Sequence, residues 1–127
     1  MRRMIKSAKP RKQRLFRLTA PMHVRQNFVN AHISKDLANR LGIRRRSIEV
    51  RRGDTVKIMA GRSRGKSGKV TKVNLGNGRI LIDGVTVKDS KNKDVLVQVP
   101  ACNVYLTDLD VSDKFRKAEL DSLKTKK

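Results

Sequence analysis

The chain has 127 residues and carries 32 Lys/Arg against 11 Asp/Glu, a net charge of +21. Charge of that density opposes folding by self-repulsion and draws a chain toward polyanions, either nucleic acid or an anionic membrane. No run approaches the roughly 20 apolar residues of a spanning helix, no apolar segment follows "MRRMIKSAKP" as in a signal peptide, and aromatics at 3% are too few to anchor a surface helix, so an intracellular nucleic-acid partner is expected.

Charge is uneven along the chain. Residues 1–52 hold 16 Lys/Arg and 2 Asp/Glu, residues 53–111 hold 10 and 6, and residues 112–127 hold 6 and 3. This reads as a basic N-terminal arm, a balanced globular module and a basic tail. In the arm, Pro10 opens "PRKQRLFRL" and Pro21 opens "PMHVRQNFV"; proline suits the first helical turn, so each predicts a short helix. Ser34 predicts a better one, because its hydroxyl can cap free amides, Leu37 and Leu41 share a face, and Gly42 can stop it. "IRRRSIEVRR" follows, and at least one of Arg44, Arg45 and Arg46 is expected to be structural because three adjacent side chains cannot face one way.

From Gly53 the apolar period changes to two. Strands are predicted near 55–59, 68–74, 79–83, 94–99 and 103–107, with Val56, Ile58, Val70, Ile80, Ile82, Val97 and Val99 in the core. "NLGNGR", Asp83-Gly84 and "KDSKNKD" read as turns, and the spacing of Val70 and Val73 predicts a bulge near Lys72. Five short strands in this span suggest a small closed or half-open barrel. The module is expected to fold without residues 1–33. The tail from Ser112 to Leu123 can be a capped helix with Phe115 and Ala118 on one side, or it can fray in solution.

The densest signal is "GRSRGKSGK", where Gly61, Gly65 and Gly68 alternate with Arg62, Arg64, Lys66 and Lys69. Glycine lets backbone turn sharply or approach phosphate, and the interleaved cations neutralise it. Gly65-Lys66-Ser67 matches the end of a nucleotide-binding loop, but the position requiring glycine is Ala60 and a strand follows, so that match is spurious. Catalysis has no support, since the carboxylates form no visible pair. Cys102 is the only cysteine, and His23 and His32 lack companions for a metal site. Neither a cofactor, a metal nor a small-molecule substrate is expected. Tyr105 and the phenylalanines are too few to form a stacking platform, which favours recognition of RNA shape and backbone over base sequence.

Gly53-Asp54, Val56, Ile58, Gly61, Gly65-Lys66, Gly68 and Val70 resemble the KOW motif of ribosomal and transcription-elongation proteins. The resemblance implies a mainly β fold: a five-stranded SH3-like barrel with a partly helical basic arm and a short C-terminal helix or tail. Outside the motif, Ala20-Pro21, Arg25, Ser34, Leu37, Gly42, Arg44-Arg45 and Asp83-Gly84-Val85 are similar to the archaeal and eukaryotic family of large-subunit ribosomal protein twenty-four, numbered twenty-six in eukaryotes. That likeness runs from about Pro10 to about Arg116. It implies a structural constituent of the cytoplasmic ribosome that binds large-subunit rRNA early in assembly, near the peptide exit, beside neighbouring ribosomal proteins. The expected rRNA contacts are Arg11, Lys12, Arg14, Arg17, Arg25, Arg44, Arg45, Arg46, Arg52, Arg62, Arg64, Lys66 and Lys69, with Gly53, Gly61, Gly65 and Gly68 shaping the backbone. The rival reading is a transcription elongation or termination factor, which generally carries a further folded domain ahead of the barrel. A DNA compactor is a third.

Overall fold

A computed structural model describes residues 7–124, so the outermost residues of the expected arm and tail lie outside the described residues. Helix α1 (Pro10–Thr19) and the single-turn α2 (Met22–Arg25) begin at or just after the two prolines, as expected of the fixed proline φ. A 3₁₀ turn (Gln26–Val29) leads into β1 (Asn30–Ile33), and α3 (Lys35–Leu41) follows. Ser34 caps α3 by accepting from the Leu37 amide at 3.2 Å, and Gly42 ends it with φ 65°, in the left-handed region where only glycine is unstrained. Strand β2 (Ser47–Glu49) completes the segment before Gly53.

The expected strands follow as β3 (Thr55–Ile58), β4 (Ser67–Asn74), β5 (Arg79–Lys88), β6 (Asp94–Pro100) and β7 (Val104–Asp108), with a 3₁₀ turn (Ala101–Asn103) between the last two. All seven strands form one sheet in the order β2-β1-β7-β3-β4-β5-β6. These pairings leave β2 and β6 as its edges, so the fold is a barrel-like wrap and not a closed ring. The bulge expected near Lys72 is present as a register shift between Val70 and Lys72. Asp83-Gly84, expected as a turn, instead lies inside β5, where the register to β6 shifts between Leu81 and Thr86 and Gly84 takes φ 75°. Such irregularities bend a strand and increase its twist, which lets the sheet curl around one core.

Two strands lie in the segment expected to be an arm. Strand β1 runs parallel to β7, with His32 opposite Tyr105, and antiparallel to β2, with Ala31 opposite Ile48. Val29, Ala31, Ile33, Leu37, Ile43, Ile48 and Val50 therefore share one buried cluster with Val56, Ile58, Val70, Ile80, Ile82, Val99 and Leu106. Val97 is partly buried against this cluster.

Helix α4 (Lys114–Leu123) is capped by Asp113, whose carboxylate accepts from the Phe115 amide at 3.0 Å. Its inward positions are Arg116, Leu120 and the half-buried Leu123, at helical spacing. Phe115 is 87% exposed, so the side of the helix that carries it faces away from the body. The cause is Asp54, fully buried at the start of β3. Arg116 is 3% exposed and grips both Asp54 oxygens, Nη1 to Oδ1 at 2.5 Å and Nη2 to Oδ2 at 2.7 Å. The Arg51 and Asp110 amides also donate to Asp54, at 2.8 and 3.0 Å, and Arg116 donates to the Asp110 and Glu49 carbonyls.

Candidate nucleic-acid interface

The glycine-basic segment is the loop joining β3 to β4, and it closes on itself. The Ile58 amide donates to the Lys66 carbonyl at 2.8 Å, Gly65 to Ile58 at 2.9 Å, Arg64 to Gly61 at 3.2 Å and Lys66 to Ser63 at 3.2 Å. The Met59 amide donates to the Asn103 carbonyl at 2.9 Å, fixing the loop to the turn before β7. Gly61 and Gly65 have φ of 99° and 90°. These glycines serve the turn, and because the 64–66 amides are engaged within it, phosphate contact here falls to side chains. Arg62, Arg64 and Lys66 are exposed and make no ion pair or side-chain hydrogen bond among the described residues. Lys69, exposed on β4, helps lower the pKa of the Asp110 carboxyl, which is held below its ordinary range chiefly by the Ser112 amide and hydroxyl.

Gly68 has a different role. Its φ is ordinary, but a Cβ there would meet the Asp83 carbonyl oxygen and sit 2.8 Å from Ile82 Cγ2. The glycine lets β4 lie directly on β5. Gly68→Val should lower stability by about 1–3 kcal/mol through overpacking, and a urea melt of the full chain checks this; an unchanged midpoint would mean that the strand yields freely. Gly53 combines both constraints, with φ 95° and Asp110 Oδ2 2.6 Å from where a Cβ would stand.

The other expected contacts separate into exposed cations and engaged ones. Arg44, Arg45 and Arg46 are all exposed on the connection between α3 and β2, so none has the structural side-chain role expected of one of them. The Arg46 carbonyl is used instead, accepting from the Ile33 amide at 3.2 Å. Arg11, Lys12 and Arg14 project from α1, exposed. Arg17 lies over the Phe28 ring, 5.6 Å from its centroid, and Phe28 also meets Phe16 edge-on. Arg25 donates to the Ala20 and Leu18 carbonyls at 2.7 and 2.6 Å, satisfying the C-terminal end of α1. Arg17 and Arg25 thus dock the first helix onto the body. Arg51 pairs with Asp113 at 2.9 Å and with Glu119 at 3.5 Å, while its neighbour Arg52 is exposed beside a groove of about 630 Å³ that Gln26, Thr71, Lys72 and Leu75 help line. Lys57, exposed on β3 next to the loop, is absent from the expected contacts. The period-two alternation already points it outward between Val56 and Ile58.

Among the described residues no helix is long and apolar enough to cross a membrane, and no group of three or more metal-ligating side chains forms. What stands out is a small β module carrying exposed cations on a glycine loop held by its own hydrogen bonds. Residues 7–122 match the family of ribosomal proteins described as L26 in eukaryotes and as the L24 type in archaea, and the chain belongs to that family. It is accordingly a structural component of the large ribosomal subunit in the cytoplasm, not an enzyme.

The chain is 46% identical to large ribosomal subunit protein uL24 of Pyrobaculum islandicum over 110 residues, 87% of this chain and 88% of that one. It is 43% identical to the protein of that name from Saccharolobus solfataricus, over 93% of this chain and 98% of the relative. For the one from Methanocella arvoryzae the identity is 38%, over 93% and 94%. The resemblance read from the KOW residues and their flanks is borne out, and the transcription-factor reading falls with it.

Proposed function

We propose that the chain binds large-subunit rRNA through phosphate contacts made by the glycine loop, by Arg44, Arg45, Arg46 and Arg52, and by the exposed cations of α1. The observation that carries this is the loop. Arg62, Arg64 and Lys66 stand exposed, with no ion pair among the described residues, on backbone fixed by its own hydrogen bonds. Holding like charges together on a rigid turn is unfavourable by itself, and a polyanion relieves it. The proposal includes the finer expectation that binding occurs early in subunit assembly, near the polypeptide exit, beside neighbouring ribosomal proteins.

Arg64→Gln and Lys66→Gln test it. Neither side chain packs in the core, so melting should be unchanged. The slope of log K against log salt on large-subunit rRNA should shrink by about one unit for each phosphate no longer neutralised. Affinity should fall equally for sequence variants of the bound fragment, because phosphate contacts position without reading sequence. An unchanged slope in both variants would make the loop a solvated turn and overturn the assignment.

A further inference from the structure

The outer face of the sheet carries a row of side chains that the strand registers place side by side. Ser47 on β2 is opposite His32 on β1, His32 is opposite Tyr105 on β7, Tyr105 is opposite Lys57 on β3, and Lys57 is opposite Ser67 on β4. The alternate residues Ala31, Ile33, Val56, Ile58, Val104 and Leu106 point into the core, so this row faces out. At its centre the Tyr105 and His32 rings meet edge-to-face, with centroids 5.7 Å apart at 70°. Tyr105 is 38% exposed, and its hydroxyl makes no hydrogen bond among the described residues. Lys57 and Ser67 form the last pair before the glycine loop, so the row runs directly into Arg62, Arg64 and Lys66.

We propose that Tyr105 and His32 form a stacking platform for one unpaired RNA base, with Lys57 neutralising that nucleotide's phosphate. The proposal rests on the RNA reading above and adds a contact of another kind. A single exposed tyrosine on a strand needs no explanation. Here the ring is steadied by a second aromatic, has a cation on the adjoining strand, and lies next to the loop assigned to the RNA backbone. A polyanion crossing that loop brings bases to this face, and the positive charge around the rings suits nucleic acid better than another cationic chain. An edge-to-face pair offers one ring face and one ring edge, so it accepts one base and not a stack. This departs from the expectation that the aromatics are too few for a stacking platform, because that count leaves out the His32 ring that the fold brings to Tyr105.

The test compares the full chain with Tyr105→Ala and Tyr105→Phe, binding large-subunit rRNA purified from the source organism across a salt series. Stacking releases no counterions, so Tyr105→Ala should weaken binding by about 5- to 150-fold with an unchanged salt slope, while Tyr105→Phe stays close to the parent. Ultraviolet irradiation of the parent complex, followed by nuclease and protease digestion, should leave a nucleotide adduct on Tyr105 or His32. This adduct decides the matter if Tyr105→Ala proves poorly folded. Parental affinity in Tyr105→Ala would overturn the proposal, as would a reduced slope, an equal loss in Tyr105→Phe, or adducts confined to other peptides. Intact rRNA affinity combined with lost retention on large subunits would mean that a protein covers this face, and would overturn it equally. A parent chain with no salt-dependent rRNA binding would instead remove the RNA reading beneath it.

Discussion

Replacing Arg116 with alanine should destabilise the full chain by about 3–5 kcal/mol, the range for removing one partner of a buried ion pair. Asp54 would keep its burial and lose both guanidinium contacts, leaving two backbone amides to satisfy a carboxylate that water does not reach. Because domains of this size are stable by about 5–15 kcal/mol, that loss is a large share of the total. The urea midpoint should fall sharply, and Arg116→Lys should recover little, since an ammonium cannot bind both carboxylate oxygens as a planar fork does. A midpoint near the parent value would mean that α4 is held by Leu120 and Leu123 alone.

Deleting residues 1–33 should abolish cooperative unfolding, whereas deleting residues 1–19 should leave a folded module. The first deletion removes β1, which lies between β2 and β7 in the sheet, and with it the buried Val29, Ala31 and Ile33. This shared burial argues against the expectation that the module folds without residues 1–33. The second removes α1, which buries none of its own residues, along with 8 of the 32 Lys/Arg. Its rRNA affinity should drop, with a salt slope lower by about 0.7–0.9 unit for each phosphate that the helix neutralises. Thermal melts followed by circular dichroism separate the two cases. A cooperative transition in the shorter chain would show that β1 is dispensable, and a slope unchanged by removal of α1 would take that helix off the RNA.

The parts legible in the sequence are those set by local chemistry. Alternating Val and Ile mark the five later strands, the spacing of Val70 and Val73 marks the bulge, and Ser34 and Gly42 bound α3 as a cap and a stop must. Strands β1 and β2 are not legible because they are short, four and three residues, and owe their existence to a distant partner. "NAHI" does alternate, yet it follows directly on a helical pattern from Pro21, and nothing local announces pairing to β7. Arg116 is hidden for a chemical reason. Arginine reads as surface charge unless its carboxylate is known to be buried, and Asp54 reads only as a turn residue. Arg17 and Arg25 also read only as surface charge, and nothing local announces the aromatic ring and the two carbonyls that they meet. The loop cations are legible because glycine spacing and charge point one way.

The parallel pairing of β1 with β7 also governs the order in which the chain can fold. These strands lie roughly seventy residues apart, and pairing at that separation is slow because the intervening loop must close before any contact rewards it. During synthesis β1 and β2 emerge early but can bury Ala31, Ile33 and Ile48 only after residues 104–108 have appeared, and Asp54 waits longer still for Arg116. For most of its time on the ribosome that makes it, the chain is therefore an unfinished sheet with its most basic segment already exposed. Unpaired edges and uncovered apolar side chains of that kind are prone to misassociation until the last strand arrives.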